Sequence, residues 1–244
     1  MDSSAWISRI PTLDKLGAIV PSELDPTFVT WNWFSSFASC IGKTEATLKL
    51  LHPDALWRDL LALTWDMRTL EGYEKIRALL NKCNSPQMRG LRQKEFVQLQ
   101  RPYPDLVWIV GTFEFDVDSG HCSGVFRLVP TSSGEWKAFT IFTNLETLKD
   151  FPPAIGPFRC RRVVSGLSWA ENLRCERDIT KDPSVLIIGA GQSALSLAAR
   201  LKYLNVPTLM VEKNARIGDS WRRRYDALCL HFPVCKFITI TPML

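Results

Sequence analysis

The first sustained period along the chain begins at Asp25-Pro26, an acidic cap followed by proline at the first helical position. Residues 1–24 ahead of it carry no such period and read as an irregular lead-in. Phe28, Trp31, Phe34 and Phe37 recur at three-residue steps, predicting the apolar face of a helix that Gly42 ends. A second short helix is expected from Thr44 to Leu51, stopped by Pro53, then an apolar-rich segment from Ala55 to Leu63, then a helix from Thr69 to Asn81. Beyond that the period shortens to two. Glu95 to Gln100, Leu106 to Val117, Ser123 to Pro130 and Glu135 to Asn144 are β-rich, with Phe113, Phe115 and Val117 alternating with polar neighbours. Gly120 and the Ser132-Ser133-Gly134 cluster mark turns between them. Helices followed by a run of antiparallel strands make an α+β domain over residues 25–148.

Residues 149–183 hold Pro152, Pro153, Gly156 and Pro157 and then several basic residues, which reads as a linker. One helix is expected in it around Leu167 to Glu176, with Trp169 packing against a neighbouring domain. Residues 184–244 change class again. Ser184 to Ile188 is an apolar, β-branched run that reads as a buried parallel strand. Gly189-Ala190-Gly191-Gln192-Ser193-Ala194 follows at once and fits the G-x-G-x-x-G/A pattern with alanine last. Gly189 permits the tight turn, Gly191 lets a pyrophosphate approach the backbone, and Ala194 lets helix and strand pack closely. The helix that starts here offers its N–H groups and positive dipole end to phosphate. Its expected apolar face is Ala194, Leu197, Ala198, Leu201 and Leu204, and Val206-Pro207 breaks it. A second strand runs from Thr208 to Val211 and Glu212 closes it, roughly 20 positions beyond the glycines, where an acid accepts hydrogen bonds from ribose hydroxyls. Strand, turn, amphipathic helix, strand and acid fall in order, which points to a dinucleotide site. A carboxylate at Glu212 would repel a 2′-phosphate, leaving NAD or FAD.

Charge changes this picture little. The net charge is +5, but the basic residues are scattered, with small clusters at Arg159, Arg161 and Arg162 and at Arg222 to Arg224. A nucleic-acid partner is not expected, and a cofactor pyrophosphate is a simpler use for part of the excess. Seven cysteines without a C-x-x-C pair suit neither a disulfide framework nor a zinc ribbon, so reduced thiols and a cytoplasmic location are expected. The first ten residues do not read as a signal peptide. No apolar run approaches the ~18 residues of a membrane span.

The residues after the second strand carry a resemblance. Glu212-Lys213-Asn214-Ala215-Arg216-Ile217-Gly218-Asp219-Ser220-Trp221 resembles the flavin-containing monooxygenase class, with its Baeyer–Villiger and auxin-type members, and so does Leu228-Cys229-Leu230-His231-Phe232-Pro233. The resemblance implies an FAD site made by Gly189, Ala190, Gly191, Gln192, Ser193, Ala194, Glu212, Lys213, Ser220 and Trp221, with His231 near the flavin. It also implies that NADPH reduces the FAD, that oxygen adds to the reduced flavin, and that the flavin peroxide oxygenates a small organic substrate. No residue of the chain is then expected to be a catalytic acid, base or nucleophile, because the cofactor carries the chemistry. No metal site is expected.

Trp57-Arg58-Asp59-Leu60-Leu61-Ala62-Leu63-Thr64-Trp65-Asp66, with Thr69 and Gly72, resembles the extra N-terminal domain of some of these enzymes, a SnoaL-like cone of helices wrapped in a curved antiparallel sheet. Arg58, Asp59 and Asp66 would then line its pocket as a base and its partners, or form a structural Arg–Asp pair at the rim. The first β-α-β part of a Rossmann-type FAD domain would follow the cone, and a homodimer through the cone is expected. No second G-x-G-x-x-G occurs, so an NADPH site is not found and the chain reads as the front part of a longer enzyme. The alternatives are a non-catalytic module that binds FAD or a partner, and an NAD-linked dehydrogenase.

Overall fold

The computed structural model describes residues 10–82, 88–154, 156, 168, 170–171, 182–224 and 226. The chain divides into two compact units, Met1–Asp150 and Phe151–Leu244. The first unit opens with a short helix α1 (Leu13–Leu16), closed by Gly17 in the left-handed region at φ 57°, so the lead-in is not wholly irregular. Helix α2 (Pro26–Ser39) starts where expected: the Asp25 carboxylate accepts from the amides of Thr27 and Phe28 at 2.9 and 3.2 Å. Its buried face is different from the one expected. Thr30, Trp33, Phe34 and Phe37 are buried, whereas Phe28 and Trp31 are 61% and 60% exposed. Three-residue steps lag the helical repeat by about 60° each, so Phe28 to Phe37 fan around half the cylinder, while spacings of three and four stay on one stripe.

Helix α3 (Thr44–Lys49) is followed at once by strand β1 (Leu51–Leu60), so Leu51 begins a strand instead of ending a helix. Pro53 sits where the pairing of β1 is irregular, between Leu51 and Leu56, a position that tolerates a missing N–H. Strand β2 (Met67–Glu71) takes the first residues of the helix expected from Thr69. That helix, α4 (Gly72–Lys82), begins only after Gly72 turns the chain at φ 75°. Strands β3 (Arg89–Tyr103), β4 (Leu106–Asp116), β5 (Gly120–Pro130) and β6 (Trp136–Leu148) complete a six-stranded sheet in the order β2-β1-β6-β5-β4-β3. All neighbours are antiparallel except β1 and β6, which are parallel, so the sheet is mixed and not wholly antiparallel. A parallel neighbour needs a long crossover, and the chain between β1 and β6 supplies one with α4 in it.

One face of this sheet carries α2. Trp33 stacks on Phe37 at 5.1 Å between centroids and tilts against Phe126 at 4.7 Å, and Phe34 meets Phe113 at 5.7 Å. Gly111 and Gly124 make room for these rings, because a Cβ at either would sit inside the ring of Phe126 or Phe113. The space between helix and sheet here is filled by aromatic side chains.

The second unit contains a parallel β-α-β. Strand β7 (Val185–Ile188) pairs in register with β8 (Thr208–Val211), and α5 (Gln192–Tyr203) connects them. A short helix, α6, spans Asp219–Arg224. The strand expected to be buried is only partly so: Ile187 is buried, but Leu186 and Ile188 are 56% and 84% exposed. No residue of α5 is buried, and Leu197 and Leu204 of its expected apolar face are exposed. Among the described residues this sheet has two strands, too narrow a surface to cover one helix. Of the helix expected from Leu167 to Glu176, Ser168 and Glu171 exchange capping hydrogen bonds, and Trp169 lies outside the described residues. His231 and the rest of Leu228 to Pro233 also lie outside them.

Candidate functional site

The turn after β7 is built from short contacts to the end of β8. Gly189 adopts φ 95°, a conformation open to glycine, and its amide donates to the Val211 carbonyl at 2.7 Å. Ala190 is buried, and its amide donates to Glu212 Oε2 at 2.6 Å. Gly191 then caps α5 in extended backbone with no side-chain cap, and its carbonyl accepts from Leu195 N at 2.9 Å. The first N–H groups of a helix have no intrahelical acceptor and face outward from its end. Gln192 and Ser193 are exposed there and Ala194 is half-buried. A Cβ placed on Gly189 or on Gly191 would meet nothing within 4 Å. The turn is therefore open around both glycines, and a free helix start of this kind fits an anionic group.

Glu212 is the acid facing this turn. Its Oε1 accepts from the amide and the Nδ2 of Asn214, at 2.8 and 2.6 Å. The Asn214 and Ala190 amides, in that order, hold its carboxyl below the usual range, and Lys213 adds a smaller push the same way. It is thus an acceptor and a negative charge at neutral pH. Lys213 itself is exposed.

Ser220 and Trp221 lie on α6, both exposed, Trp221 at 37%. Asp219, only 6% exposed, anchors that helix. It accepts from Arg216 N at 3.1 Å and from Arg222 Nη1 at 3.0 Å. Burial pushes its carboxyl up, but the Arg222 and Arg216 hydrogen bonds and charges outweigh this and hold it low. Arg223 Nη1 donates to Asn214 Oδ1 at 2.9 Å, so α6 is joined to Glu212 through Asn214. The structure thus joins Gly189, Ala190 and Glu212 at one turn. Asp219 belongs to the Gly218-to-Trp221 run of the resemblance, whereas Asn214 and Arg223 are additions to which it gives no role, although the Asn two places after the acid is a local turn-former.

In the first unit Arg58, Asp59 and Asp66 neither share a pocket nor form a pair. Arg58 and Asp59 part because neighbouring strand residues face opposite sides of a sheet, and Asp66 lies beyond β1 in the bend before β2. Arg58 points outward and donates to Thr69 Oγ1 at 2.8 Å, and Asp66 pairs with Arg68 at 2.8 Å. Asp59 is fully buried. It accepts from Thr143 Oγ1 at 2.6 Å, from Leu63 N at 3.1 Å and from Thr64 N at 3.2 Å, and Trp57 Nε1 donates to Thr143 Oγ1 at 3.1 Å. A depression of about 200 Å³ is lined by residues 61–65 and 117–119, over the loop that Asp59 holds. Cys122 is buried and its thiol is pushed up to about 12, by burial first and then by Asp59, Asp116 and Glu146, so it is no nucleophile. Among the described residues no His, Cys, Asp and Glu cluster suits a metal ion. No helix among them is long and apolar enough to cross a membrane.

No family model matches the chain. Short stretches are similar to known proteins. One is 49% identical over 49 residues to an uncharacterized CzcO-like oxidoreductase of Geobacillus kaustophilus, covering 20% of this chain and 14% of that protein. Another is 42% identical over 59 residues to indole-3-pyruvate monooxygenase YUCCA1 of Oryza sativa subsp. japonica, covering 24% of this chain and 14% of that one. The chain therefore spans about a seventh of the length of these relatives in the matched stretches, and part of it is related to proteins named as oxidoreductases and monooxygenases. Solved structures that superpose on about half of the chain include ActVI-ORFA from Streptomyces coelicolor, at 10% identity and TM-score 0.38, covering 49% of this chain and 96% of that one. An NTF2-like protein from Silicibacter pomeroyi superposes at 8% identity and TM-score 0.39, covering 49% and 95%.

Proposed function

We propose that the second unit holds the adenosine-diphosphate end of FAD, and that the chain serves an FAD-dependent, NADPH-consuming monooxygenase of small organic molecules. The observation that carries this reading is the bond from the Ala190 amide to Glu212, which sets an ionised acid beside an open glycine turn and a helix start. Gly191, Gln192, Ser193 and Ala194 would receive the pyrophosphate on backbone N–H groups, while Gly189 and Ala190, whose amides go to Val211 O and Glu212 Oε2, would shape the turn that holds it. Glu212 would accept from the ribose hydroxyls and repel a 2′-phosphate, which favours FAD over NADP here. Lys213, Ser220, Trp221 and His231 would complete the FAD site. When bound, FAD supplies the electron transfer and the activation of oxygen. The chain's own residues bind the cofactor and orient it, and keep Glu212 deprotonated. The first unit, a cone by the resemblance of residues 57–66, would serve substrate contact or pairing of two copies.

The test is the visible spectrum of the purified full chain after gel filtration with added FAD. Flavin bands that travel with the protein are expected, and they should weaken at least tenfold in affinity for Glu212→Gln, which removes a charged acceptor. A colourless protein that ignores FAD would overturn the proposal. A second reading, an FAD-binding module without turnover, draws on the exposed Leu186 and Ile188, which leave the sheet around the site partly uncovered. NADPH oxidation by the FAD-loaded chain separates the two.

A further inference from the structure

One hydrogen-bonded bridge links the acid at the end of β8 to α6. Asn214 gives both its amide N–H and its Nδ2 to Glu212 Oε1, and takes Arg223 Nη1 on its Oδ1 at 2.9 Å. The direction of each bond is forced, because a carboxylate only accepts and a guanidinium only donates. A carboxamide is the short group that can serve both. An aspartate would repel Glu212, and an alanine would drop both ends. The two donors from Asn214 use the two acceptor positions of Oε1. Oε2 takes the Ala190 amide at 2.6 Å and keeps one position for a further donor, beside the glycine turn.

We propose that Asn214 is a positioning residue, which turns Glu212 so that Oε2 meets an adenosine ribose hydroxyl and, through Arg223, makes ribose binding and the seating of α6 with Trp221 one event. The occupant rests on the FAD reading above; the bridge itself is read from the hydrogen bonds. Nothing in the glycine motif requires an asparagine here. A ligand lacking ribose hydroxyls would gain nothing from the arrangement, and that difference gives the test.

The experiment is calorimetric binding of ADP and of 2′,3′-dideoxyadenosine diphosphate to the full chain. The wild-type chain should prefer ADP by about tenfold, the worth of one hydrogen bond to a charged acceptor. Asn214→Ala should lose that preference by weakening ADP alone, with the dideoxy ligand unchanged. Arg223→Met should keep the preference for ADP but lose the protection from hydrogen exchange that ADP gives the α6 amides. Equal weakening of both ligands by Asn214→Ala would reduce Asn214 to a structural role and overturn the proposal. So would an undiminished preference, or α6 protection that survives in Arg223→Met. If the wild-type chain binds neither ADP nor FAD, the FAD reading falls first and this inference with it. If it binds both without regard to the ribose hydroxyls, this inference alone falls.

Discussion

Replacing Asp59 by asparagine keeps its shape and exchanges one acceptor oxygen for an NH2 donor. The wild-type carboxylate is fully buried and holds Thr143 Oγ1, Leu63 N and Thr64 N at 2.6, 3.1 and 3.2 Å. A typical hydrogen bond contributes about 0.5–1.5 kcal/mol, and a buried donor left without an acceptor costs about 1–3 kcal/mol. Three such bonds losing roughly 1 kcal/mol each give about 3 kcal/mol, a large share of a stability of about 5–15 kcal/mol. The amide group would also point an N–H at a backbone N–H or displace the proton of Thr143, which has Trp57 Nε1 already on its oxygen. Asp59→Ala should cost more, because it leaves buried donors without acceptors. Urea unfolding of the full chain gives the magnitude, and hydrogen exchange gives the place: the Leu63 and Thr64 amides should lose protection before the rest of the sheet. A change under about 1 kcal/mol, with those two amides still protected, would refute the view that Asp59 holds this loop.

Two further outcomes follow from the core and from one titrating group. Gly111→Ala would put a Cβ inside the ring of Phe126, itself fully buried, and should destabilise by about 1–3 kcal/mol as overpacking does, read as a fall in Tm; an unchanged Tm would contradict the packing described. His52 is pushed below its ordinary 6.5 by burial first, with Asp54 opposing and Lys137 assisting, and its Nδ1 accepts from Asp54 N at 3.2 Å in the neutral form. A depressed folded pKa favours the neutral ring, so the stabilisation is complete above the unfolded value and is lost as pH falls through the folded one. The urea midpoint should therefore fall as the pH drops below about 6.5, and His52→Phe should reduce that fall. A variant with the same drop would assign it elsewhere.

What the chain shows on its face depends on how local the cause is. The Asp25 cap, the Gly120 turn and the sequence from β7 through Glu212 are local, and each element stands where its residues place it, whereas the helix expected from Thr69 starts late because Gly72 turns the chain first. The true face of α2 needed the angle between residues and not just their spacing: Thr30 is buried, and its hydroxyl bonds back to Pro26 O at 2.9 Å while also receiving Gln93 Nε2 from β3. Asp59 shows the opposite limit. An acid in an apolar run suggests chemistry, but its function in the fold depends on Thr143, 84 residues away. The direction of β1 against β6 is hidden for the same reason, since alternation shows which side a residue faces and not which strand lies next to it. In the candidate site the glycines and Glu212 were legible from spacing, whereas the Asn214–Arg223 bond became visible only when α6 folded back beside the end of β8.

The parallel pair of β1 and β6 also sets a schedule for the chain as it is made. Asp59 must wait for Thr143, and at a synthesis rate of about 5–20 residues per second those 84 residues take roughly 4–17 s to appear. Through that interval β1 has only β2 beside it in the sheet, and the edge that β6 later covers stays unpaired. Long-range pairing of this kind slows folding, because the loop must close before any contact rewards it. A nascent chain paused before β6 therefore presents an open strand edge, and a slowed stretch of translation there would prolong that exposure.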